Sequence, residues 1–204
     1  MQQTLPLADR ILDTALAIAE SGSWEDLQLH AVAATLDIPL ERIRECYAQK
    51  DDIAEAWFDR ADRGLLSWQP EEEFYEQAEY TRLRQVIMYW LDALESHHRI
   101  TREMLCYKLE PGHIHLQVLG VMRISRTVQW FREVARLQAS SVNRILEETV
   151  ITGIYLTGFG RWLYDDSPHR NDNTESFLAR ALGCLKHPDS PRNHGPDKKP
   201  GPAT

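Results

Sequence analysis

Two groups of side chains have types and spacing that could do chemistry. The first is Leu40, Arg42, Arg44, Tyr47 and Lys50, with three cations close enough together to neutralise phosphates and a leucine able to touch base edges. They lie in the stretch 27–50, LQLHAVAATLDIPLERIRECYAQK, whose spacing predicts two short helices around a tight turn. Leu29, Val32, Ala33 and Leu36 follow i, i+3, i+4, i+7 and give the first helix one apolar face. Pro39 lacks an N–H and suits a first helical position, so the second helix begins there. Ile43 and Tyr47, four apart, anchor that helix, and Leu40, Glu41, Arg42, Arg44 and Glu45 fall on its flanking or outward faces. A helix so exposed could enter a major groove. An ordinary helical hairpin in an all-α protein has the same spacing.

The second group is Arg123, Arg126 and Gln129 in the segment HIHLQVLGVMRISRTVQWFREVARLQ, polar residues within a largely apolar helix. Two readings stay open. The arginines pair with acids such as Glu147 and Glu148, or they converge with Tyr107, His115 and Trp130 on a pocket for an acidic or polar-headed ligand. No GxSxG, HExxH, phosphate-binding glycine loop or paired cysteines occur, so catalysis has no support, the protein reads as a non-enzyme, and no cofactor is implied. His113 and His115, one residue apart, point to different sides of a helix, which argues against a metal role.

The elements that must position these groups are helical throughout. ADRILDTALAIAES, from Ala8 to Ser21, carries one apolar stripe and ends at Gly22, with Trp24 expected in the core. A long helix starts at Lys50 with Asp51 and Asp52 at the end favoured by the helix dipole, and Gly64 is expected to fray its far end. The acids Glu71 to Glu73 open a further helix that runs past Trp90 and Leu94 and is closed by the cations of His97-His98-Arg99. ITREMLCYKL follows. The run SVNRILEETVITGIYLTGFGRWLYDD is a helix with Gly153, Gly158 and Gly160, each costing about 1 kcal/mol against alanine, which close approach of another helix would justify. Asn173-Thr174-Glu175 starts the last helix. Residues 187–204 hold five of the ten prolines and no apolar period, and read as a disordered tail.

With 204 residues, 43% of them hydrophobic, the chain can fill one domain or a small and a larger one. No apolar run approaches the roughly twenty residues of a membrane span and the amino terminus lacks a secretion-signal layout, so a cytoplasmic location is expected. Cys46, Cys106 and Cys184 are scattered and odd in number, and read as small buried hydrophobes. The net charge of −8 is unevenly placed: residues 1–62 hold five basic against thirteen acidic side chains, and residues 63–204 hold eighteen of each. The deficit falls on the part that would approach DNA and counts against that partner, unless the contact surface itself is basic.

The stretch ILDTALAIAESGSWEDLQLHAVAATLDIPLERIRECYAQKDDIAEAW resembles the amino-terminal domain of the TetR family of transcriptional regulators in helix order, in connector lengths, and at Gly22, Val32-Ala33, Ile38, Ile43, Tyr47 and Lys50. Asp37 stands where that family usually has a turn glycine, and Arg44 and Cys46 where it usually has an aromatic and a histidine. The resemblance implies an all-α, TetR-like fold, with a helix-turn-helix domain over 1–50 and a larger helical ligand-binding and dimerisation domain over 51–186. It also implies a ligand-responsive repressor that is a homodimer through its last two helices, binds a palindromic operator in double-stranded DNA, and answers to a small-molecule or lipid ligand. Lys50 would contact a DNA phosphate from a helix N-terminus. The chain's end, YLTGFGRWLYDDSPHRNDNTESFLARAL, also resembles the TetR-fold lipid-binding accessory family of ubiquinone biosynthesis, which does not bind DNA; Asp166-Ser167-Pro168, Thr174 and Phe177-Leu178 carry that likeness.

Overall fold

The computed structural model describes residues 5–109, 114–137 and 144–185, with residues 109, 114–119, 121, 144 and 146 given by their backbone alone. All its regular elements are helices. Helices α1 (Leu7–Ser21), α2 (Leu29–Leu36) and α3 (Leu40–Cys46) pack on one another. Their shared core follows the apolar stripes of the sequence: Ile11, Leu12, Ala15, Leu16 and Ala19 from α1, Val32 and Ala33 from α2, and Ile43 from α3, with Trp24 beside them. Helix α3 starts one residue after Pro39, which occupies the cap position.

The turn between α2 and α3 closes on Asp37, whose φ of 53° and ψ of 48° lie in the left-handed region. Its backbone N–H and that of Ile38 donate to carbonyls of the last turn of α2, which meets the orphan-acceptor problem of a helix C-terminus. Aspartate tolerates this conformation better than most residues, so the helix-turn-helix bend forms without glycine.

Helix α4 (Lys50–Ser67) begins with a capping arrangement in which Asp52 Oδ2 accepts from the N–H groups of Ala48 and Gln49. It leaves the first three helices and packs on α6 (Glu79–Leu94) and α8 (Ile114–Val134). Gly64 does not fray it; the helix passes through to Ser67. The remaining elements are α5 (Glu72–Glu76), a short 3-10 turn (Glu95–His97), α7 (His98–Leu109), α9 (Arg144–Tyr164) and α10 (Arg170–Gly183).

Three expectations are corrected. The single helix expected from Glu71 to Arg99 is broken between α5 and α6, because Arg82 reaches back to the Gln77 carbonyl and across to the carbonyls of Ala135 and Arg136 at the end of α8. His98 and Arg99 do not close that helix but open α7, where Arg99 donates to the carbonyls of Ala19, Glu20 and Gly22 at the carboxyl end of α1. The last helix starts at Arg170 rather than Asn173. The cysteines also differ from expectation: Cys46 is half-buried, and Cys106 and Cys184 are exposed.

Of the three glycines in α9, Gly158 alone meets a neighbouring helix. A Cβ there would lie 2.9 Å from Leu178 Cδ2 of α10, so the missing side chain lets these two helices close up. At Gly153 and Gly160 a Cβ would meet nothing within 4 Å. The tail over 187–204 lies outside the described residues.

Candidate DNA interface and ligand cavity

Helix α3 turns Ile43 inward and leaves Leu40, Glu41, Arg42, Arg44 and Glu45 on the surface, Leu40 at 51% exposure. Arg42 pairs with Glu45 one turn on, and no described acid lies within ion-pair distance of Arg44. Arg44 is therefore the cation of α3 that is available to a polyanion without first losing a partner.

Tyr47 is corrected. It is 8% exposed, and its hydroxyl donates to the Ala8 carbonyl at 3.1 Å, so it ties α3 to α1 and presents no ring to a groove. Burial, followed by the nearby Asp9 charge, pushes its phenol pKa up. Lys50 is also engaged within the chain. Its ammonium donates to the carbonyls of Trp24 (3.1 Å) and Glu25 (3.0 Å) and sits 4.9 Å from the centre of the Tyr107 ring. Its pKa is lowered, chiefly by desolvation.

Between α4, α6, α7, α8 and α9 lies a cavity of about 410 Å³. Phe58, Trp90, Tyr155 and Phe159 supply aromatic walls, with Leu105, Ile124 and Leu163 between them. Trp90 meets Tyr155 and Phe159 edge-on at 5.9 and 5.5 Å. Its indole N–H is not loose, because it donates to Asp62 Oδ1 at 2.8 Å behind the wall. Arg123 lines the same cavity and gathers three acids of α4: Glu55 (3.0 Å), Asp59 (2.7 Å) and Asp62 (3.0 Å). Burial raises the Asp62 pKa against the opposing pull of Arg123, while Arg123 is raised by its hydrogen bond to Asp59 and by the acids around it, against desolvation.

The five residues expected at a pocket thus part company. Arg123 is at the cavity. Arg126 is half exposed and pairs with Asp59, Tyr107 lies under Lys50, and Trp130 is 36% exposed; none of the three lines it. The His115 side chain lies outside the described residues. The partners of Arg123 and Arg126 are on α4, not at Glu147 or Glu148; Arg132 is the arginine facing Glu147, at 3.9 Å. Among the described residues no cluster could hold a metal ion, and His113 lies outside them. No described helix is long and apolar enough to cross a membrane.

Neither a family profile nor a curated protein matches the chain. Solved structures do. A TetR transcriptional regulator from Nitrosomonas europaea is 40% identical, with 88% of this chain and 98% of that one covered and a TM-score of 0.77. The chain belongs to the TetR family of transcriptional regulators. Two further neighbours share the fold at lower identity. A TetR regulator from a Rhodococcus species is 14% identical with a TM-score of 0.62, covering 88% of this chain and 96% of that one. The multidrug binding protein EbrR, solved with imidazole, is 20% identical with a TM-score of 0.51, covering 88% and 95%. The likeness of the chain's end to the ubiquinone accessory family gains no support from these neighbours.

Within a TetR regulator the acidic amino-terminal third takes on a different meaning. Glu20 faces Arg99 and His97, Glu55 faces Lys108 and Arg123, and Asp59 and Asp62 face α8. With Asp9, which faces Arg63 as well as Arg60, five of the thirteen acids are compensated by cations from beyond residue 62, and their charge is not offered to DNA. The clue in the sequence is the spacing Glu55, Asp59, Asp62, at i, i+4, i+7: one acidic face on a helix that also carries an apolar one, which requires cations from elsewhere.

Proposed function

We propose that this TetR regulator is a homodimeric, ligand-released repressor that places α3 of each subunit in the major groove of a palindromic operator. The observation that carries the reading is the outward face of α3, where Leu40 stands exposed and Arg44 is unpaired among the described residues. Leu40 is suited to base edges and Arg44 to phosphate or guanine; Arg42 joins them by exchanging Glu45 for DNA. Lys50 contributes by fixing the loop that precedes α2, and its charge stands behind the phosphate contacts. The protein divides for this purpose into a reading part over 1–50 and a sensing part over 51–186, with α4 running from one into the other.

The dimer is assigned to the last two helices. On α9, Val150, Gly153 and Thr157 form an exposed, uncharged face away from the cavity, and the open space at Gly153 leaves room for a second helix to approach closely. A ligand in the cavity would bind the two spacings of the recognition helices unequally, and only such a difference can release DNA.

The test is a titration of the full chain against its own upstream DNA at several salt concentrations. Sequence-selective binding in the nanomolar range with a steep salt slope supports the reading; absence of selective binding at low salt removes it. Sedimentation of Gly153→Arg reads the dimer separately, with a shift to monomer expected.

A further inference from the structure

Charge is balanced where α4 and α8 meet at the cavity. Three carboxylates, Glu55, Asp59 and Asp62, face three cations, Lys108, Arg123 and Arg126. An anionic ligand bound at Arg123 would take it from Asp62, which is 5% exposed and would be left buried without a countercharge. A cationic ligand would meet Arg123 and Lys108 and would have to separate them from the same acids. Of the other polar groups in the wall, Arg102 is held by both carboxylate oxygens of Asp166, Thr127 donates to Asp62, and Cys106 meets the Tyr164 hydroxyl; the remainder is rings and aliphatic groups.

One polar group of the wall stands apart from this network. Tyr155 is 2% exposed, and its hydroxyl makes no hydrogen bond with any described residue. Burial first, and the Asp62 charge second, raise its pKa far above the usual phenol value, so the group stays protonated and has an O–H to donate. A buried donor without a partner favours a ligand that brings an acceptor.

We infer that the cavity selects an uncharged, mainly apolar molecule with one hydrogen-bond-accepting oxygen, its ring or chain lying against Trp90 and Phe159 and its oxygen accepting a hydrogen bond from the Tyr155 hydroxyl. The inference rests on the reading of the cavity as the effector site and is independent of operator binding.

The experiment uses the full-length protein without DNA and one ring system in three charge states: 2-acetylnaphthalene, 2-naphthoate and 2-naphthylmethylammonium, followed by calorimetry. The neutral ketone is expected to bind about tenfold or more tightly than either ion, as for a ligand that leaves a buried ion cluster intact. Tyr155→Phe is expected to weaken 2-acetylnaphthalene about fivefold while leaving 2-ethylnaphthalene, which has no acceptor, unchanged. Binding of either ion as tight as the ketone overturns the inference, as does an equal effect of Tyr155→Phe on both neutral probes, no effect on either, or no binding by any probe. Operator titration without probes reads the regulator function by itself, so the two can fail separately.

Discussion

Arg123 Nη2 donates to Asp62 Oδ2 at 3.0 Å across the contact of α8 with α4, and both side chains are under one tenth exposed. Asp62 also accepts from the indole of Trp90 and from Thr127, so one carboxylate joins α4, α6 and α8. Arg123→Met removes the cation and leaves these acids unbalanced, and a loss of about 3–5 kcal/mol is expected in urea unfolding. Adding Asp62→Asn should restore part of it. A loss for Arg123→Met below about 1 kcal/mol would mean the cluster is relaxed by solvent.

Operator affinity should depend on Arg44 as a phosphate or base contact. Arg44→Ala is expected to weaken binding about tenfold and to lower the salt slope by about one, with the folding transition unchanged. Equal operator affinity for wild type and variant would take α3 out of the groove. Tyr47→Phe should instead leave the salt slope as it is and lower stability by about 1 kcal/mol through loss of the bond to Ala8.

Asp37 holds a left-handed conformation that glycine adopts freely. Asp37→Gly should be neutral or stabilising by a few tenths of a kcal/mol, and Asp37→Val should cost about 1–2 kcal/mol. Thermal melts of the two variants rank them; a valine variant as stable as wild type would show that the turn relaxes.

Substituting the glycines of α9 should give opposite signs. Gly158→Ala drives a methyl into the fully buried Leu178 and should cost about 1–3 kcal/mol. Gly160→Ala, with open space around its Cβ, should gain up to about 1 kcal/mol from helix propensity. Chemical denaturation of both at one protein concentration makes the comparison.

Asp165 links the end of α9 to α10. Hydrogen bonds from Ser167 and then Asn173 hold its pKa down at about 2, below the 3.8 of a free aspartate. A depressed carboxylate contributes stability that is present above pH 3.8 and lost as pH falls through 2. Wild type should therefore exceed Asp165→Ala in stability at pH 5, and the gap should close between pH 4 and 2. A gap independent of pH over that range would count against the charged form as the partner of Ser167.

Local periodicity made the helices readable, and tertiary contacts decided the rest. The stripe Ile11, Leu12, Ala15 and the pair Ile43 and Tyr47 mark buried faces that depend on nothing distant, and α1 to α4 follow from them. The break before α6 was not legible because its carbonyls are met by Arg82, whose other partners lie more than fifty residues away. At the cavity, Arg123 stood out as a cation in an apolar helix, but its partners are acids over sixty residues upstream. Phe58, Tyr155 and Phe159 look like core in sequence, since a cavity wall and a packed core use the same residue types.

Helix α7 holds the reading part at several points: Arg99 takes the last carbonyls of α1, Glu103 accepts the Trp24 N–H at 2.7 Å, and Tyr107 lies beneath the Lys50 ammonium. Four residues of the same helix, Arg102, Leu105, Cys106 and Lys108, line the cavity. A chimera that grafts residues 1–50 onto another family member would therefore arrive without its mooring. To transplant the operator preference of this protein intact, its α7 surface must travel with the graft.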